Sequence, residues 1–271
     1  MKTVLRWIGL LMIFCSSLKA VENFILIDGN TSRVIKEFGP NINRRVTPAS
    51  TFKITLSLIG FDAGILEDEM TPVWNFQEGY DDFLEVWKSS QTPKTWMANS
   101  CVWFSKILTR ELGLKRFQEY LAMFDYGNQD LSSGLVEPGL LSPAWVSSSL
   151  KISPKEQVEF IQKMVLGILP ISSRAFEVTK AILLKEELPE GWKLYGKTGL
   201  GKDVLEDGKS EKIRWFVGWI EKDQSFFPFA YQMCAKELNV KQTIPRVRSL
   251  LEESCILNVT KSTVKGHLWN S

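Results

Sequence analysis

Histidine is all but missing from this chain. The single one, His267, stands close to the C-terminus in "VKGHLWNS". A serine–histidine–aspartate triad needs an imidazole held rigidly beside its serine, and hydrolytic zinc centres lean on histidine ligands. A lone histidine in a terminal tail serves neither, so any hydrolysis here runs without histidine. Cysteine is scarce as well, with four in 271 residues, too few for a disulfide-scaffold fold. Excess charge is absent: 33 Lys+Arg stand against 31 Asp+Glu, and no basic cluster favours nucleic acid. Long apolar runs are confined to the start of the chain, and no internal repeat or low-complexity stretch is visible.

That start, "MKTVLRWIGLLMIFCSSLKA", places Lys2 and Arg6 before an apolar stretch from Ile8 to Phe14, with small residues after it. This is the pattern of a cleavable export signal over residues 1–20, with Ala20 the last residue removed. The stretch is short for a membrane span, so no anchor is expected after cleavage, and the location is expected to be periplasmic. Losing Lys2, Arg6 and Lys19 leaves 30 basic against 31 acidic residues in the mature chain. Cys101, Cys234 and Cys255 also remain, an odd number that leaves at least one thiol unpaired. Whether Cys234 and Cys255 bridge is open.

At 44% hydrophobic and 24% charged residues, the rest is globular in composition and long enough for a sizeable core. Two apolar runs around Asp28-Gly29-Asn30 predict a hairpin. "PASTFKITLSLIGFDAGIL", from Pro48, is apolar on nearly every face and predicts a helix in the middle of the protein. Thr47 is placed to cap it, with Pro48 at the first helical position. Residues 67–170 read as helices and loops, including "CVWFSKILTRELG", "LKRFQEYLAMF" and a helix opened by Ser153-Pro154. "SSRAFEVTKAILLKEEL" reads as a further helix. Then "WKLYGKTGLG", "IRWFVGWIEKD" and "SFFPFAYQMC" read as strands, and "TIPRVRSLLEESCIL" as a closing helix. The expected fold is α/β of the α+β type: an antiparallel sheet from N- and C-terminal strands, flanked by helices, with an inserted all-helical lobe. Residues 21–271 form one compact unit with two lobes on this reading.

Three short motifs carry chemistry. Ser50 and Lys53 lie three apart at the head of the buried helix, so their side chains share a face near the positive end of the helix dipole. A serine nucleophile needs that arrangement when lysine replaces histidine as base. Ser-x-x-Lys recurs at Ser16/Lys19, Ser148/Lys151 and Ser262/Lys265, and Ser100-Cys101-Val102 has counterparts at Ser32-Arg33-Val34 and Ser262-Thr263-Val264. Only Lys197-Thr198-Gly199 is unique. The information lies in their order, with Tyr126-Gly127-Asn128 and Trp145 between the second and third.

In that order the motifs resemble those of the serine penicillin-recognising enzymes. Ser-x-Val in the second motif, Tyr-Gly-Asn and the "WFVGW" strand make the chain similar to the class D β-lactamases, the oxacillinases. The resemblance spans the mature chain and implies hydrolysis of β-lactam antibiotics, isoxazolyl penicillins included, through a Ser50 acyl-enzyme. It implies that Lys53 is N-carboxylated by CO2 or bicarbonate and acts as general base, with no other cofactor and no metal. Trp145 would hydrogen-bond the carbamate, while Val102, Phe52 and Val146 keep the pocket dry. Ser100 would relay a proton between Ser50 and Lys197. Lys197, Thr198 and Gly199 would form the strand edge along which substrate lies, and the N–H groups of Ser50 and Leu200 the oxyanion hole. Where many class D enzymes place a carboxylate-binding arginine, this chain has Lys241, which keeps the charge but not the bidentate fork. Arg246 and Arg248 read as a solvated helix face. Loops around Trp96 and Leu200 are expected to shape substrate preference. A penicillin sensor and a cell-wall peptidase remain as competing readings. The protein is expected to be a monomer or homodimer.

Overall fold

A computed structural model describes residues 20–134, 144–146, 149–204, 208, 210–236, 242–254 and 256–257. The N-terminal signal pattern, Lys241, Cys255 and His267 lie outside the described residues. Strands β1 (Val21–Ile27) and β2 (Val34–Phe38) form the expected hairpin. Its turn is held by Asp28, whose Oδ1 accepts from the N–H groups of Asn30 and Thr31, each at 3.0 Å.

A turn of 3-10 helix (Ala49–Phe52) leads into α1 (Lys53–Asp62). Nine of the ten residues of α1 are buried, as its all-round apolar pattern predicts. The start differs in detail from the sequence reading. Pro48 precedes the first turn, and Thr47 caps it only weakly, its hydroxyl accepting from Ala49 N–H at 3.4 Å. The same hydroxyl donates to the Trp145 carbonyl at 2.8 Å.

Four helices follow: α2 (Pro93–Asn99), α3 (Val102–Leu112), α4 (Leu114–Phe124) and α5 (Pro154–Val165). Ser153 and Glu156 form a reciprocal capping box at the head of α5, and this helix packs on β1, β5 and β6. Next comes α6 (Ser173–Leu183). Here the sequence reading is corrected: helix stops at Leu183, and Leu184–Glu187 is a short strand, β3, paired antiparallel with β4. The free edge of β4 captures this charged tetrapeptide; long-range pairing overrides its helical composition.

β4 (Lys193–Val204), β5 (Ser210–Lys222), β6 (Ser225–Ala235) and α7 (Thr243–Glu253) complete the chain. The sheet is antiparallel in the order β2-β1-β6-β5-β4-β3. Pro228 is tolerated inside β6 because β1 pairing ends one residue away, at Leu26 opposite Phe229. Each face of the sheet has its own core. Phe24, Leu26, Phe216, Phe229, Val247 and Leu251 meet on the α7 side. A larger cluster on the other face joins the sheet to α1, α5, α6 and the helices between.

Candidate active site

Ser50 stands in the 3-10 turn, half-buried, one residue after Ala49, whose φ is +49°. A non-glycine residue in the left-handed region is strained, and here the strain falls immediately before the candidate nucleophile. Lys53 opens α1 and is wholly buried. Burial pushes its ammonium down to about 8, with Cys101 and Asp81 acting weakly the other way. No ion pair reaches Lys53 and no hydrogen bond joins it to Ser50 among the described residues.

Ser100 and Val102 lie where α2 hands over to α3. Ser100 itself has φ +56°, in the left-handed region, as the cap of α2. Its hydroxyl accepts a short hydrogen bond from Lys197 Nζ, which also donates to the Thr198 carbonyl at 3.1 Å. Lys197 is 2% exposed on β4. Burial holds its ammonium well below the ordinary lysine range, and the charges of Lys185, Lys53 and Arg214 push the same way. Gly199 is buried against the nucleophile's turn. A Cβ there would come within 3.0 Å of the Pro48 carbonyl and 3.2 Å of Thr51 N, so the strand can lie this close only with glycine. Thr198 is half-buried and Leu200 is 51% exposed.

Trp145 is 1% exposed, and its indole N–H has no hydrogen-bond partner among the described residues. Its ring meets Phe52 at 5.4 Å between centroids, and Phe52 in turn meets Tyr126 at 5.2 Å and Phe117 at 5.9 Å. Phe52 is fully buried; Val102 and Val146 are half-buried and packed on the same core. A buried orphan donor of this kind is costly and marks a place where an acceptor belongs.

Several expectations need correction. Trp96 is fully buried and donates to Ser105 Oγ at 2.9 Å, so it stands in the core rather than on a cleft-lining loop. Arg246 and Arg248 are not merely solvated. Arg246 pairs with Glu22 at 3.1 Å and Arg248 with Glu186 at 3.2 Å. The sequence reading missed Arg214, placed opposite Leu200 by the β4–β5 register, whose Nε donates to Thr243 Oγ1 at 2.9 Å. It also missed Lys185, on the β3 segment taken for helix. The strand assignment for 213–223 held the signal for Arg214; for Lys185 there was none.

Helices on both faces of a β2-β1-β6-β5-β4-β3 sheet, with a serine turn packed on a Lys-Thr-Gly strand, define a penicillin-recognising protein. The penicillin binding protein transpeptidase domain family matches residues 27–249. The chain is 39% identical over 225 residues to the β-lactamase OXA-9 of Klebsiella pneumoniae, covering 82% of this chain and 81% of that protein. It is 40% identical over 201 residues to the β-lactamase OXA-1 of Escherichia coli, covering 73% and 70%. The crystal structure of the OXA-427 class D β-lactamase superposes with a TM-score of 0.80 at 38% identity, over 86% of this chain and 98% of that one. A class D β-lactamase from Bacillus subtilis gives 0.73 at 28% identity, over 88% and 93%. The chain belongs to the class D β-lactamases and is a hydrolase of that class.

Proposed function

We propose that this is an exported enzyme that opens the lactam ring of penicillins, isoxazolyl penicillins among them, and so confers resistance to those antibiotics. Residues 1–20 direct export to the periplasm and are removed; residues 21–271 form the catalytic domain, with a helical lobe over roughly 67–170, working as a monomer or homodimer. Ser50 Oγ attacks the lactam carbonyl carbon. The carbon–nitrogen bond of the ring breaks, and the nitrogen takes a proton along the Ser100–Lys197 hydrogen bond. Water then cleaves the Ser50 ester, releasing the opened acid. The N–H groups of Ser50 and Leu200 bind the carbonyl oxygen in both steps, the substrate lies along the strand edge of Lys197, Thr198 and Gly199, and Lys241 takes the sequence place of the carboxylate-binding arginine.

The observation that carries this reading is a half-buried serine three residues before one buried lysine, on a turn packed against the strand that carries another, neither lysine ion-paired with a carboxylate among the described residues. Neutral amine is then within reach at Lys53 near physiological pH, and neutral amine is what reacts with CO2. The residues present fit a carbamate on Lys53: the orphaned Trp145 N–H supplies a buried donor, and Phe52, Val102 and Val146 exclude water. When bound, the carbamate supplies the base for Ser50 and later for water. Since Ser50 and Lys53 are not hydrogen-bonded to each other, the amine alone does not hold the serine proton.

Steady-state hydrolysis of a penicillin, an isoxazolyl penicillin and a carbapenem, with and without added bicarbonate, tests both halves. Turnover indifferent to bicarbonate after decarboxylation at low pH rejects the carbamate. A burst of one equivalent of product with no steady state would overturn the turnover proposed here.

A further inference from the structure

Trp145 lies in residues 144–146, which belong to no helix or strand. A neighbouring stretch, 149–152, is gripped from three sides. Its Ile152 exchanges backbone hydrogen bonds with Val46, two residues before Pro48. Its Leu150 N–H donates to the Ala144 carbonyl at 3.0 Å, tying the stretch to the residue beside Trp145.

The third grip is Asn128. Its backbone N–H donates to the Lys151 carbonyl at 2.9 Å. Its side-chain Oδ1 accepts from Lys151 N–H at 2.8 Å, and its Nδ2 donates to the Ser149 carbonyl at 2.8 Å. A carboxamide can accept from one peptide group and donate to another at once; aspartate or alanine cannot. Gly127, at φ +57°, lets the turn press directly on this stretch, since a Cβ would stand 2.2 Å from the Lys151 carbonyl. Lys151 is also anchored through its side chain. Its Nζ pairs at 3.1 Å with Asp203, a 7% exposed residue on the same strand as Lys197.

We propose that Asn128 is a positioning residue for the indole of Trp145: by fixing the register of 149–152 it sets where the buried N–H stands, and the Lys151–Asp203 pair ties that register to β4. This rests on the reading that Lys53 is carboxylated and that Trp145 donates to the carbamate. Asn128 then governs how tightly CO2 is held and leaves the chemical step itself alone.

The test uses the mature protein with 13C-labelled bicarbonate and reads the carbamate resonance directly as bicarbonate is titrated. In Asn128→Ala the half-saturating bicarbonate concentration is expected to rise about tenfold, with kcat restored at saturation. Asp203→Asn, which leaves both carboxamide bonds in place, is expected to shift it about threefold. A lower Tm with unchanged half-saturation in Asn128→Ala overturns the proposal. If Asn128→Ala does not fold, Asp203→Asn decides alone: a shifted curve supports the proposal and an unshifted one overturns it. Failure of the parent reading looks different, because the unsubstituted protein would then give no carbamate signal at all.

Discussion

Lys53 is placed against the interests of stability. A wholly buried ammonium with no acidic partner is disfavoured, and its depression to about 8 amounts to about 3 kcal/mol against the charged form. The folded protein therefore binds fewer protons than the unfolded chain between about 8 and the ordinary lysine range. The stability linked to this group is present above the unfolded value and is lost as pH falls through about 8. Lys53→Met, in bicarbonate-free buffer at pH 7, is expected to raise Tm by about 6–12 °C and to flatten the pH dependence of Tm between 8 and 10. Differential scanning calorimetry checks both, and turnover of a penicillin should vanish in the same variant. On the proposed carbamate mechanism, the amine's protonation also sets the pace of recarboxylation. After acid decarboxylation, reactivation at a fixed dissolved CO2 concentration should quicken about tenfold per pH unit below 8 and level off above it. A reactivation rate that goes on rising about tenfold per pH unit through pH 9, with no levelling near 8, would refute a depressed Lys53.

Ser100 and Gly199 act through the elements that carry them. Gly199 sits where β4 touches the Pro48–Thr51 turn, so Gly199→Ala pushes strand and turn apart by a few tenths of an ångström. The expected result is about a tenfold loss in kcat/KM for a penicillin, with only a few degrees lost in Tm. Ser100→Ala removes the acceptor of the Lys197 bond and is expected to cost more than a hundredfold in acylation rate, read by single-turnover kinetics. Most elements were legible because their signals are local. The all-round apolar run became α1, Ser153-Pro154 became the head of α5, and the aromatic stretches after Trp192 became β4, β5 and β6. Within the charged segment 200–212, residues 200–204 pair with 210–214 across the β4–β5 ladder. What failed to show was non-local. β3 exists only because β4 offers it an edge, Trp96 is buried by helices the pattern could not arrange, and Arg214 is placed by the cross-strand register opposite Leu200 and the bond to Thr243. Ser50, Lys53, Ser100 and Lys197 were chosen from motif order, while the Ser100–Lys197 hydrogen bond depends on packing that no tetrapeptide encodes.

At the scale of the molecule, two cores pack on the two faces of one sheet. Cys101 and Cys234 are both unbridged and buried, and burial raises their thiols to about 11 and about 12. The reactive thiolate is thus scarce at neutral pH. Labelling of these two thiols in native buffer should proceed at the unfolding rate, accelerating only as denaturant approaches the midpoint. Rapid modification of Cys101 would mean that the α2–α3 junction opens on its own. Among the described residues no helix is long and apolar enough to cross a membrane.

Gly199 and Ser50 come from opposite thirds of the polypeptide, joined only by the late-arriving strand that leans on the early turn. On the proposed mechanism, a partly synthesised or partly threaded chain owns the serine but not its reactivity: it stays mute until β4 closes over the turn, and contacts of such long sequence separation are the slow ones to form.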